Sequence, residues 1–176
     1  AGTNSKNSTI TYCNFTTGTV TALGTTSATG GLVGDNSFGA SISKCYSTGT
    51  VSGYDYTGGL VGQNFSDASI SNCFSRCNCS SDETYGGNSG GLIGYNSTNS
   101  TIINCYSAGT VGTMMSGLVG YNNNSTVNNS FWDTDKSGTT FSDGGTGKTT
   151  TEMNDIATFT NTSTVGLTTA WDFTSI

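Results

Sequence analysis

The sequence contains no histidine and no proline, and only 9% of its 176 residues are charged. Each absence excludes something. Without histidine the commonest general base and the commonest metal ligand are missing, and neither a Ser-His-Asp nor a Cys-His site can be built from this chain. Five basic residues against eleven acidic ones, a net charge of −6, leave no footprint for nucleic acid. No apolar run is long enough to insert into a membrane and no signal peptide is present, so the chain reads as mature, processed or partial. Hydrophobic residues reach only 32%, too few for a thick core.

What is abundant is small and polar. Gly, Thr, Ser and Asn supply 102 of the 176 residues. Such a composition borders on disorder, but 10% of the residues are aromatic and the residues repeat. Four segments align directly: GGLVGDN (Gly30 to Asn36), GGLVGQN (Gly58 to Asn64), GGLIGYN (Gly90 to Asn96) and SGLVGYN (Ser116 to Asn122). A second motif alternates with them: STITYCNFTTGTV from Ser8, ASISKCYSTGTV from Ala40, ASISNCFSRCNC from Ala68 and STIINCYSAGTV from Ser100. A degraded fifth copy, STVNNSFWD from Ser125, carries Ser130 in place of the cysteine.

Each unit is a set of short β-branched or apolar runs punctuated by Gly, Asn, Asp and Ser, which is a strand signature. Stacked units of this kind give a β-solenoid, each coil covering the apolar face of the next. The expected fold is therefore all-β: a short β-solenoid (β-helix-like) of about four to five coils over residues 1–131, closed by a cap and tail over 132–176. The recurrent glycines are expected at sharp corners or at close backbone approaches. In the cap, Thr149-Thr150-Thr151-Glu152 forms a capping box. It predicts a short helix from about Thr150 to Thr158 that buries Met153 and Ile156. The run Leu167 to Phe173 is expected as a terminal strand.

The columns have alternative readings. Cys13, Cys45, Cys73 and Cys105 share one column, and Ile10, Ile42, Ile70, Ile102 and Val127 lie three residues earlier, on opposite parity. Either a bend separates them or one set faces out. Tyr46, Phe74, Tyr106 and Phe131 form an aromatic column that is either core or an outward stacking surface. Asn36, Asn64, Asn96 and Asn122 are either a coil-to-coil amide ladder or simple turn residues.

The G-L-V-G and G-L-I-G cores, each preceded by an N-C-Y-S-x-G-T-V type strand, resemble the GLUG-motif repeat. So does the tail SFWDTDKSGTTFSDGGTGKTTTEM (Ser130 to Met153). The resemblance implies large, modular, secreted or surface proteins of prokaryotes, often adhesin-like, with the repeats accessory rather than catalytic. The third copy departs from the pattern, with RCNCSSDETYGGNS (Arg76 to Ser89) in place of S-x-G-T-V.

Three sets of candidate residues follow. Coil-to-coil spacing brings column cysteines within disulfide range, so Cys13–Cys45 and Cys73–Cys105 could bridge, leaving Cys77 and Cys79; the alternative is a column of reduced, buried thiols. Ten asparagines lie in N-x-S/T acceptor sequences: Asn7, Asn14, Asn64, Asn78, Asn96, Asn99, Asn123, Asn124, Asn128 and Asn161. Asp133, Asp135 and Ser137 imitate the start of a calcium loop, but Gly144 stands where the bidentate Glu is needed, and no cofactor is expected. Gly144 to Thr149 imitates a phosphate loop, but Ser142 occupies the position of its first glycine.

The expected function is a non-enzymatic, extracellular or cell-surface structural protein, a glycosylated subunit or module of a fibre or adhesin. Self-association would run end to end or through the C-terminal strand, with Trp171 and Phe173 as assembly residues. The alternatives are a carbohydrate-binding adhesin module using the aromatic column, or an accessory fragment of a larger secreted enzyme. Asp35, Asp55 and Asp67 lie in separate turns, which speaks against acid–base catalysis.

Overall fold

The computed structural model describes residues 2–24, 28–82 and 88–174. The chain winds as a parallel β-solenoid of about four turns. Face A stacks Thr3–Ser5, Val33–Ser37, Val61–Phe65, Ile93–Ser97 and Val119–Asn123. Face B stacks Thr9–Thr11, Ser41–Ser43, Ser69–Ser71, Thr101–Ile103 and Thr126–Asn128. Face C stacks Asn14–Phe15, Tyr46–Ser47, Phe74–Ser75, Tyr106–Ser107, Phe131–Asp133 and, from the tail, Thr146–Lys148. Face D stacks Thr19–Thr21, Thr50–Gly53 and Asn78–Ser81. The divergent third copy stays in register here, with Cys79 opposite Val51.

A bend separates the isoleucine and cysteine columns, so both point inward. It is a single left-handed residue between faces B and C: Tyr12, Lys44, Asn72, Asn104 and Asn129, all with φ between 47° and 55°. Each such residue costs about 1–2 kcal/mol outside glycine. The coils offset this by bonding through the corner itself: Lys44 N donates to Ser71 O at 3.2 Å and Asn72 N to Ile103 O at 3.1 Å. A second corner, between faces A and B, uses left-handed pairs such as Ser66–Asp67 and Thr98–Asn99.

The motif glycines therefore do not make these corners, contrary to half of the sequence expectation. They serve close approach instead. A Cβ on Gly62 would lie 2.5 Å from Thr29 N and 2.6 Å from the Gly34 carbonyl oxygen, and one on Gly58 would run into the Val61 carbonyl. The turn leading into face A folds back on the backbone of its own and the neighbouring coil, which leaves no room for a side chain.

The core is thin and continuous. Ile42, Ile70 and Ile102 meet Leu60, Leu92 and Leu118, Val61, Ile93 and Val119, and the cysteines Cys45, Cys73 and Cys105. A smaller cluster joins Val51, Cys77, Cys79 and Met115.

The tail differs from the expected single helix and terminal strand. It forms three one-turn helices, Thr134–Ser137, Thr150–Met153 and Ala157–Thr160. The capping box is present: Thr149 N donates to Glu152 Oε2 at 2.8 Å, and Glu152 N to Thr149 Oγ1 at 3.2 Å. Asp155 Oδ1 then accepts Ala157 N at 2.9 Å, just ahead of a new helix whose N-cap is Ile156; Ile156 turns out, 61% exposed, and Phe159 is buried instead. Leu167 to Phe173 forms no strand. Its backbone is held by single contacts: Thr168 N on Asn129 Oδ1 at 2.7 Å and Trp171 N on Phe159 O at 2.8 Å. With Leu167 buried beside Phe131 and Phe159, this segment packs on its own solenoid.

Candidate functional site

Three columns carry side chains with chemical character. The first is the asparagine ladder. Asn4 Nδ2 donates to Asn36 Oδ1 at 2.8 Å, Asn36 to Asn64 at 2.7 Å, Asn64 to Asn96 at 2.9 Å and Asn96 to Asn122 at 2.8 Å. Each Nδ2 also approaches the carbonyl across its own corner, Asn36 to Ala40 O and Asn64 to Ala68 O, both at 3.4 Å. One side chain thus closes its coil and bonds the next. Asn4 was missed because its surroundings, TNSK, lack the G-L-V-G signal. The ladder has a direction, and at its N-terminal end the Asn4 amide oxygen meets no donor among the described residues.

Ladder membership removes two of the sequence candidates for glycosylation. Asn64 and Asn96 are fully buried with their Nδ2 atoms engaged, so a glycan cannot attach in the folded chain. Asn7, Asn14, Asn78, Asn99, Asn123, Asn124, Asn128 and Asn161 are exposed.

The second column is cysteine. All six thiols are free, so the expected bridges Cys13–Cys45 and Cys73–Cys105, and the leftover pair Cys77 and Cys79, are corrected. The sulfurs have another role: Cys13 N donates to Cys45 Sγ and Cys45 N to Cys73 Sγ, both at 3.4 Å. The thiols of Cys45, Cys73 and Cys105 in turn donate to carbonyls two residues back, at 3.1–3.2 Å. Ser130 does the same in the fifth copy, accepting from Cys105 N at 3.1 Å and donating to Asn128 O at 2.7 Å. Cys77 donates to Gly59 O at 3.3 Å. Hydrogen bonding to Cys73, then burial, pushes the Cys45 thiol well above its ordinary range. Burial, then the neighbouring Cys77, does so for Cys79. Cys13 alone is exposed.

The third column is aromatic. Tyr46 stacks on Phe74 and Phe74 on Tyr106, each pair 4.9 Å apart and parallel to within 6°. These rings face outward from face C. The tail covers the C-terminal end: Phe159 and Trp171 pack on Phe131, which is fully buried. Arg76 lies over Phe74 and Tyr106, 5.4 and 5.8 Å from the ring centres. The column is thus core at one end and surface at the other. Between Tyr46, Phe74 and the Trp171–Phe173 segment runs a groove of about 420 Å³. Trp171 and Phe173, read from sequence as assembly residues, form its wall.

The residues that imitate the start of a calcium loop are engaged within the tail. Asp133 caps its helix through Lys136 N at 2.9 Å and accepts Thr150 Oγ1 at 2.8 Å. Asp135 accepts Thr150 N at 2.8 Å, and the Ser137 hydroxyl donates to Thr139 O at 3.3 Å. The three tie the tail together rather than converge on an ion. Among the described residues no group of His, Cys, Asp and Glu is placed to hold a metal.

The two ends of the solenoid are unlike. At the C-terminal end Asp143 N bonds Val119 O at 3.0 Å, and the Asp143 carboxylate accepts Asn122 N at 2.7 Å. Ser142 Oγ accepts Val119 N at 2.9 Å, so the edge of face A is sealed. At the N-terminal end Thr3–Ser5, Thr9–Thr11, Asn14–Phe15 and Thr19–Thr21 are all edge strands, paired on one side among the described residues.

Comparison with known proteins is consistent with this geometry. The model of the GLUG motif matches residues 25–52, 53–76 and 85–112. No curated protein and no solved structure matches the chain. Each match spans one turn of the solenoid, carrying the close-packed glycines and the cysteine strand. The chain is a GLUG-repeat protein, with three matched repeats in series between residues 25 and 112.

Proposed function

We propose that this chain is a non-enzymatic structural module of an extracellular or cell-surface fibre or adhesin, and that it associates end to end with further coils of the same repeat. The observation that carries the reading is the contrast between the ends. The tail covers the last strand of faces A and C and leaves Thr126–Asn128 as the edge of face B, whereas the first coil presents four edge strands and the Asn4 amide oxygen at the end of the ladder. Edges of this kind pair with further strands, and the coil that fits is another of the same repeat. This is the end-to-end route, one of the two expected from the sequence. Eight exposed N-x-S/T sites fit a glycosylated outer surface.

Sedimentation velocity over a concentration series tests this. The unaltered chain is expected to associate. Thr11→Lys with Thr19→Lys, which places charge at exposed positions of the first coil, is expected to stay monomeric at an unchanged melting temperature. A wild-type chain that is monomeric at every concentration and forms no filaments by electron microscopy sinks the proposal.

A further inference from the structure

We infer that the groove on face C is a binding site for an uncharged sugar chain. The inference does not depend on the assembly reading, because the groove lies on a sheet face and not at a coil end.

The ring column on face C is only half covered. Phe131, at its C-terminal end, is sealed beneath Phe159 and Trp171. Phe74 and Tyr46, two and three coils away, keep part of their rings in solvent. Exposed aromatic surface in a concave setting is where ligands gain most on burial. The rings are also held in place before any ligand arrives, by parallel stacking at 4.9 Å and by Arg76 across Phe74 and Tyr106. Little order remains to be imposed on binding.

The surroundings select the ligand class. The corner residues Asn72 and Asn104 line the groove, with Asn104 Nδ2 donating to Asn72 Oδ1 at 3.4 Å, and Tyr12 lines it as well. Amides and hydroxyls both donate and accept, which suits a ligand rich in hydroxyls. The charged lining residues are Lys44 and Asp172, one of each sign. Both have partners of their own: Lys44 Nζ donates to Tyr12 OH at 2.9 Å, and Asp172 accepts from Thr174 N at 2.8 Å. The lining therefore favours neither an anion nor a cation. A peptide strand is disfavoured too, since strand addition needs a sheet edge and the face C backbone is already paired coil to coil. A pyranose matches what remains, with apolar C–H faces for the rings and a hydroxyl rim for the amides. A volume of about 420 Å³ lies within the range of ligand sites, and the open groove suits a chain.

The test titrates the full chain with hexamers of glucose, mannose and N-acetylglucosamine, followed by calorimetry and by tryptophan fluorescence. Trp171 lines the groove, whereas Trp132 is buried elsewhere. At least one hexamer is expected to bind saturably, with a dissociation constant in about the micromolar to millimolar range. Phe74→Ala is expected to weaken it about tenfold or more, and Thr50→Ala, on face D, to leave it unchanged. Should Phe74→Ala fail to fold, Asn72→Ala at the exposed rim is expected to weaken binding in the same direction. Saturation transfer from the protein's aromatic protons should then reach the sugar C–H protons. No binding by any hexamer overturns the inference, as does binding that none of the groove variants alters. An apolar dye that fills the groove and that no hexamer displaces overturns it as well.

Discussion

Asn36 donates its amide hydrogen to Asn64 at 2.7 Å, and both side chains are fully buried. Neither amide can turn to water, so each depends on the other. Removing Asn64 strands the Asn36 donor on one side and the Asn96 acceptor on the other. Asn64→Ala is expected to cost about 2–4 kcal/mol, two buried groups losing partners. Asn4→Ala, at the end of the ladder, strands one group and should cost less. Urea denaturation of the two variants checks the order.

The cysteine column predicts a sharp split in reactivity. Only Cys13 is exposed, so a thiol reagent is expected to label one cysteine quickly and five only on unfolding. Intact mass after timed alkylation counts them. Because Ser130 already fills the cysteine role, Cys73→Ser should cost less than Cys73→Val, which leaves Cys45 N without its acceptor. The opposite order would refute the hydrogen-bonding role of the sulfurs.

The same thiols set a pH dependence. Cys45, Cys73 and Cys79 are all raised from an ordinary value of 9.0. The unfolded chain releases these protons near that value while the folded chain keeps them. Their contribution is whole below pH 9 and is lost as the pH climbs above it. The urea midpoint is expected to fall between pH 8 and pH 10, and to fall less when the three are replaced by serine. Equal slopes would show that other groups control alkaline unfolding.

Close approach at the motif glycines predicts intolerance of even one methyl group. Gly62→Ala places its Cβ against Thr29 N and the Gly34 carbonyl. Backbone on both sides cannot swing away as a side chain can, so the loss is expected to exceed about 3 kcal/mol. Thermal denaturation beside Gly138→Ala, where a Cβ meets nothing within 4 Å and only the φ of 74° opposes it, separates crowding from conformational strain.

Expression in a host that adds N-linked glycans should modify sites among Asn7, Asn14, Asn78, Asn99, Asn123, Asn124, Asn128 and Asn161, with Asn64 and Asn96 bare. Peptide mapping by mass spectrometry reads this directly. Occupancy at Asn64 would mean attachment before the coil closes.

Much of the fold was legible because a solenoid repeats its instructions. Four copies of one heptapeptide announce the coil, the strand chemistry and the asparagine column together. The tail has no such redundancy: the run from Leu167 to Phe173 has strand-like composition but is held by Asn129 and Phe159, partners that local pattern does not reveal. Ile156 and Phe159 exchanged places for a similar reason, because a new helix starts just after Asp155, with Ile156 as its N-cap.

The amino-acid order alone determined that this chain coils, how long each coil is and which residues fall in line. It did so because in-register stacking makes each contact a repetition of the last. Tertiary structure decided what each column does. Left-handed residues that are not glycine turn both the isoleucines and the cysteines inward, and sulfurs act as hydrogen-bond partners where bridges were expected. The folded tail also covers the last strand of faces A and C, while the Asn4 amide oxygen ends the ladder with no donor among the described residues. These outcomes depend on which backbone groups meet across coils and across the tail, and such meetings are set by distances in space that no repeat in the sequence records.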